Sequence, residues 1–165
     1  IKIKIMGVDI YALKLNRKLS DNIRDESEEI WDNDNIKVVF SLNFSPIKHL
    51  VAITKGLYEA EYLDAPDFGM SYSSYNICNM AHKCNCEEIW CNIENWIGKP
   101  FIEFINFADN DGSFDYVIAE KLYKDFESHL DTAKSELHRD HFDSYKTYME
   151  ILKIVSDNKG VIYYS

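Results

Sequence analysis

Residues 100–126 read PFIEFINFADNDGSFDYVIAEKLYKDF, and the way this stretch divides decides the fold. Phe101, Ile102, Phe104, Ile105 and Phe107 make a short apolar run, Asp109-Asn110-Asp111-Gly112 supplies turn chemistry, and the residues beyond the turn are periodic. Ile118, Ala119, Leu122, Phe126 and Leu130 recur at the spacing of a helix buried on one face. This predicts a helix over about 115–130, with Glu120 and Lys124 in the favourable i, i+4 order. The order of run, turn and helix puts carboxylates and amides where core meets surface, the usual place for a site on a rigid scaffold.

Downstream, a last helix over about 136–156 presents Phe142, Tyr145, Met149, Leu152 and Val155. Asn158-Lys159-Gly160 ends it, and residues 161–164 read as a closing strand. Upstream, Ser73 or Ser74 caps a helix carrying Ile77, Met80, Ala81 and Cys84. After a break near Asn85, a second helix carries Ile89, Trp90, Ile93, Trp96 and Ile97 until Gly98 and Pro100 stop it. Residues 58–70 contain Pro66 and Gly69, show no clean period and read as a surface connection. Residues 36–44 alternate as a half-buried strand, and Ser45-Pro46 opens a short helix that Gly56 closes. Residues 1–15 read as extended, with a change of parity at Met6-Gly7 that marks Met6 as the natural start and residues 1–5 as an upstream extension. The expectation is one domain over residues 1–165, of α+β class. A small, mainly antiparallel sheet from the N-terminal, 36–44 and C-terminal strands is covered by four or five helices.

At 165 residues and 46% apolar composition, the chain is long enough to bury a core without disulfides or metal. The net charge of −10, from 28 acids and 18 bases, repels nucleic acid and anionic membrane surfaces and favours a basic protein partner. Residues 21–35 hold seven acids against Arg24, either a solvated segment or a surface for such a partner. No stretch approaches the roughly 20 apolar residues of a membrane span, and no signal-peptide pattern is present, so the expected setting is the cytoplasm. The cysteines, at positions 78, 84, 86 and 91, are too clustered to staple long loops and read as reduced thiols.

The turn at Asp109 invites a calcium reading, but an EF-hand register fails. With Gly112 as the sixth loop residue, the first would be Phe107 and the twelfth Ile118, neither able to ligate. Three readings stay open: a tight polar turn, a binding site built from Glu103, Asn106, Asp109 and Asp111 with Asp115 at its edge, or a carboxylate pair for acid–base work. Cys78, His82, Cys84, Cys86 and Cys91 offer soft ligands without any CxxC pair, so no metal or other cofactor is expected. His138 and His141, at i, i+3, lack the i, i+4 spacing and adjacent Glu of a helical zinc signature and read as a solvated helix end. No phosphate-binding loop, dinucleotide fingerprint or nucleophile elbow occurs.

Four pieces, Met6-Gly7-Val8-Asp9, the SYSSYN motif of residues 71–76, FINFADNDG at 104–112 with KLYKDF at 121–126, and Asp157-Asn158-Lys159-Gly160-Val161, resemble a family of uncharacterised proteins from bacteria and their phages. In that family the tyrosine-asparagine motif continues into a basic, aromatic helix, whereas here the chain continues as Ile77-Cys78-Asn79-Met80. The resemblance implies a single α+β domain, an intracellular setting and a start at Met6, and supplies no activity. Tyr72, Tyr75, Asn76, Asn106, Asp109 and Asp111 all fall at expected element ends. They would converge in one polar pocket if the central apolar run packs beside the helix starting at Ser74. The functional expectation is a non-enzymatic, immunity- or inhibitor-like interaction protein of bacterial or mobile-element origin. The alternative is a small carboxylate- or metal-dependent hydrolase using Asp109 and Asp111 with Glu103 or a histidine.

Overall fold

The sheet is organised on one long strand, β1 (Val8–Lys18), in which Ile10, Ala12 and Leu13 are buried. A computed structural model describes residues 8–18, 31–32, 35–36, 58–70, 73–105 and 112–164. Two two-residue strands, β2 (Trp31–Asp32) and β3 (Asn35–Ile36), pair only with each other among the described residues. One edge of β1 is shared by β4 (Tyr58–Tyr62) and β5 (Phe68–Met70), both antiparallel, with Leu13 opposite Tyr62 and Ile10 opposite Phe68. Residues 58–70 are therefore not merely a surface connection. The segment hides its strand character because β4, at the edge of the sheet among the described residues, leaves Glu61 and Tyr62 exposed, so no apolar alternation marks it.

The chain then enters the helices α1 (Ser73–His82) and α2 (Cys86–Cys91). Lys83, at φ 55°, ends α1 in the left-handed region, and the Asn85 side chain caps α2 by accepting from the Glu88 amide at 2.9 Å. The second expected helix is broken, because the Asn92 amide bonds back to Ile89 O and a 3₁₀ turn (Ile93–Trp96) comes next. Beyond it lie the short helix α3 (Ile102–Ile105), the strand β6 (Gly112–Asp115) and α4 (Tyr116–Ser128). The chain closes with α5 (Leu130–Glu136), α6 (Arg139–Asp157) and β7 (Val161–Tyr164).

Strand order is β4-β1-β7-β6, antiparallel throughout, so the C-terminal strand sits in the middle of the sheet beside β1. With six helices among the described residues, the fold is α+β. Of the three strands expected to build the sheet, the first and last are present. Residues 37–44, the helix expected over 45–56, and residues 1–7 lie outside the described residues.

The α6 terminus explains how β7 reaches its place. Lys159 takes φ 48°, its amide bonds to Ser156 O, and the Gly160 amide bonds to Val155 O at 2.9 Å, a Schellman end to the helix. Gly160 then passes so close to β1 that a Cβ there would lie 2.4 Å from Leu13 O. The core is aromatic. Phe126 of α4 packs at 4.5 Å from Tyr145 and 5.5 Å from Tyr148 of α6, and Phe101 and Phe104 close on it edge-on. No described helix is long and apolar enough to cross a membrane.

Candidate functional site

The turn before α3 is held by charges drawn from two helices. Lys121 of α4 reaches Glu103 Oε2 at 2.7 Å and Asp125 Oδ2 at 2.7 Å, and donates to Lys99 O at 2.9 Å. Asp125 Oδ2 also accepts from the Phe101 amide at 3.0 Å, fixing a residue whose φ of 61° is strained for a bulky side chain. Strain there is offset by burial, since Phe101 is wholly enclosed. His82 Nε2 donates to Pro100 O at 2.7 Å, and burial lowers the pKa of this imidazole, so it meets the Trp96 ring edge-on in the neutral form. Glu103, only 3% exposed, thus belongs to a structural clamp in which an ammonium lies between two carboxylates.

Of the other site residues singled out in the sequence, Tyr75 and Asn76 are among the described residues. Tyr75 is exposed on α1, while Asn76 is half-buried and lines, with Phe104, His141 and Ser144, a cavity of about 10 Å³, room for about one water. Helix α1 does pack against α3. Tyr72, Asn106, Asp109 and Asp111 lie outside the described residues. Asp115 caps α4, its Oδ1 accepting from the amides of Val117 and Ile118 at 3.0 and 3.4 Å. His138 caps α6 in the same way, accepting from the Asp140 amide.

The cysteines are thiols, and three of them meet at the corner between α1 and α2. Cys78 is fully buried, and its thiol donates to Cys84 O at 3.3 Å. Burial pushes the Cys78 and Cys86 thiols up, away from ionisation at neutral pH. Cys91 is exposed. Among the described residues, no group of three or more His, Cys, Asp or Glu side chains is arranged to hold a metal ion.

A large apolar opening was not singled out in the sequence. It is a groove of about 690 Å³ between α4, α5 and α6, floored by Tyr123, Leu130, Phe142, Met149 and Ile154. Phe142 and Met149, expected in the core, are half-buried and face this groove. Lys146 lies over the Phe142 ring at 4.9 Å and pairs with Asp143 at 3.0 Å; Lys153 lies over Tyr123 at 5.4 Å and pairs with Asp157 at 2.9 Å. These lysines therefore roof the aromatic floor with their stems while their charges are compensated. Asp131, Glu150 and Lys134 complete the rim without an ion pair among the described residues. A signal for the groove does exist in the sequence. Residues 142, 145, 148, 149, 151, 152, 154 and 155 of α6 are all apolar, an arc wider than one core-facing stripe. Comparison with known proteins found no matching family model, no matching curated protein and no matching solved structure.

Proposed function

We propose that this chain is a non-enzymatic interaction protein of the inhibitor or immunity type, acting in the cytoplasm of a bacterium or its mobile elements. Its groove between α4, α5 and α6 takes a basic, amphipathic helix of a partner protein. The bacterial setting rests on the short motifs that resemble the phage-associated family. The observation that carries the binding reading is the groove itself: an open, elongated apolar floor with an adaptable Met149 and a charged rim, the form that receives a helix laid on its apolar face. From residue 142 to residue 154, α6 offers about 18 Å of wall, enough for roughly three turns of a partner helix.

The basic character of the partner follows from charge. After residue 57 the sequence holds 20 acids and nine bases, so the helical part of the chain carries the acid excess. At the rim, Asp131 and Glu150, two acids without an ion pair among the described residues, stand against one such base, Lys134. A basic helix entering this field is attracted at long range and finds carboxylates at the mouth. The test is to isolate the wild-type chain and a Met149→Glu variant from the native cells under identical conditions, with far-UV circular dichroism as the check on folding. A partner retained by the wild type and lost with the variant supports the reading. Equal retention, or a bare wild-type chain, contradicts it.

A further inference from the structure

The three thiols at the α1–α2 corner are not used by the groove, and their arrangement has chemistry of its own. Cys78 is their hub: its thiol donates to the Cys84 carbonyl oxygen at 3.3 Å, and Cys86 opens the next helix beside it. Accessibility differs across the set: Cys78 is 0% and Cys86 5% exposed, whereas Cys84 is half-buried and so is the thiol a small molecule meets first. The left-handed Lys83 brings the chain round so that Cys84, beyond the end of α1, lies against Cys78 within the helix, its carbonyl oxygen accepting from the Cys78 thiol.

We propose that this corner is a thiol–disulfide relay, in which Cys84 takes up a low-molecular-weight disulfide such as glutathione disulfide and Cys78 resolves it to an internal Cys78–Cys84 bond. In the first step the Cys84 thiolate attacks one sulfur of the external disulfide, forming a mixed disulfide and expelling one small thiolate, which takes up the proton that Cys84 released. In the second, Cys78 loses its proton and attacks the Cys84 sulfur, expelling the second small thiolate, which takes up that proton. Two protein thiols are oxidised by two electrons, and one external disulfide is reduced to two thiols. Burial favours the outcome, because the enclosed corner disfavours the charged thiolate of the resolving cysteine but accepts a neutral disulfide. For the same reason the second step is the slow one, and the mixed disulfide at Cys84 is the species expected to build up first.

The test uses the full chain in a Cys91→Ser background, so that the exposed Cys91 does not contribute adducts. Glutathione disulfide is the probe, and intact mass and peptide mapping are the readouts. The parent is expected to lose two hydrogens and yield a Cys78–Cys84 linked peptide. Cys78→Ala, an apolar replacement suited to the buried position, should stop at one glutathionyl group on Cys84. Cys84→Ser should react at least tenfold more slowly, and Cys86→Ala should close at the parental rate. A stable adduct on the parent with no internal bond, a bridge through Cys86, or unchanged closure in Cys84→Ser would each overturn the relay. Circular dichroism on every variant separates loss of chemistry from loss of fold, and Cys86→Ala serves as the equally buried control.

Discussion

Removing the ammonium at position 121 is the sharpest perturbation of the scaffold that carries both the turn and α4. Lys121→Met keeps most of the stem volume but leaves Glu103, whose side chain is 4% exposed, without its cation, and frees Asp125 and Lys99 O from the same partner. Breaking a buried ion pair by deleting one member costs about 3–5 kcal/mol. Lys121 is itself 32% exposed, so water reaches the vacated site and the expected loss is smaller, about 2–3 kcal/mol. With a urea slope of about 2 kcal/mol/M, typical of a small domain, the unfolding midpoint should fall by about 1–1.5 M. The internal control is Lys124→Met on the same helix. Its partner Glu120 is 52% exposed, and an exposed i, i+4 pair is worth no more than about 0.5 kcal/mol. Adding Glu103→Gln to Lys121→Met should recover part of the loss, because the uncompensated buried charge is gone. A Lys121→Met midpoint within about 0.3 M of wild type, or equal to that of Lys124→Met, would refute the clamp.

Two further perturbations probe the frame around it. Burial lowers the His82 pKa below its ordinary value of 6.5, so the unfolded chain binds this proton more readily than the folded one. Stability carried by His82 is therefore present above 6.5 and lost as pH falls towards the folded pKa; His82→Gln should flatten that part of the stability–pH curve, and an unchanged slope would contradict the assignment. Gly160→Ala should cost about 2 kcal/mol or more in thermal or urea unfolding, because its Cβ would meet the backbone oxygen of Leu13 at 2.4 Å and force β1 and β7 apart. A neutral effect there would mean that the approach of the two strands is looser than described.

How much of this was legible in the sequence depended on whether local pattern and final environment agreed. Helix α4 was legible because its 3.6-residue period, its Asp115 cap and its buried face coincide. The same holds for α6 and for β7, where Asn158-Lys159-Gly160 marks the boundary, although the left-handed residue is Lys159 and the glycine serves the approach to Leu13. Strand β6 escaped notice because Gly112–Asp115 holds one buried apolar side chain, Phe114, and exists by pairing with β7, a partner distant in sequence. Strand β4 escaped because, at the sheet's edge among the described residues and with Glu61 and Tyr62 exposed, it has no apolar period. At the site level, Glu103 stood out as a carboxylate beside the apolar run. Its partnership with Lys121 arises only when α3 and α4 meet, and 18 positions of sequence separation hide it. The groove went unread because Phe142 and Met149 share a helical face with core residues, and only the width of the apolar arc on α6 distinguishes them.

The central claim is that the groove between α4, α5 and α6 is where this acidic chain binds another protein. Native mass spectrometry of the untagged chain taken from its own cells, run side by side with Met149→Glu, tests it most directly. The account predicts a second protein on the wild type, joined by crosslinks from Lys134 or Lys146 at the rim to a basic, helical segment, and the bare chain for the variant. A bare wild-type chain, or a partner held equally by the variant and crosslinked away from α6, would contradict it.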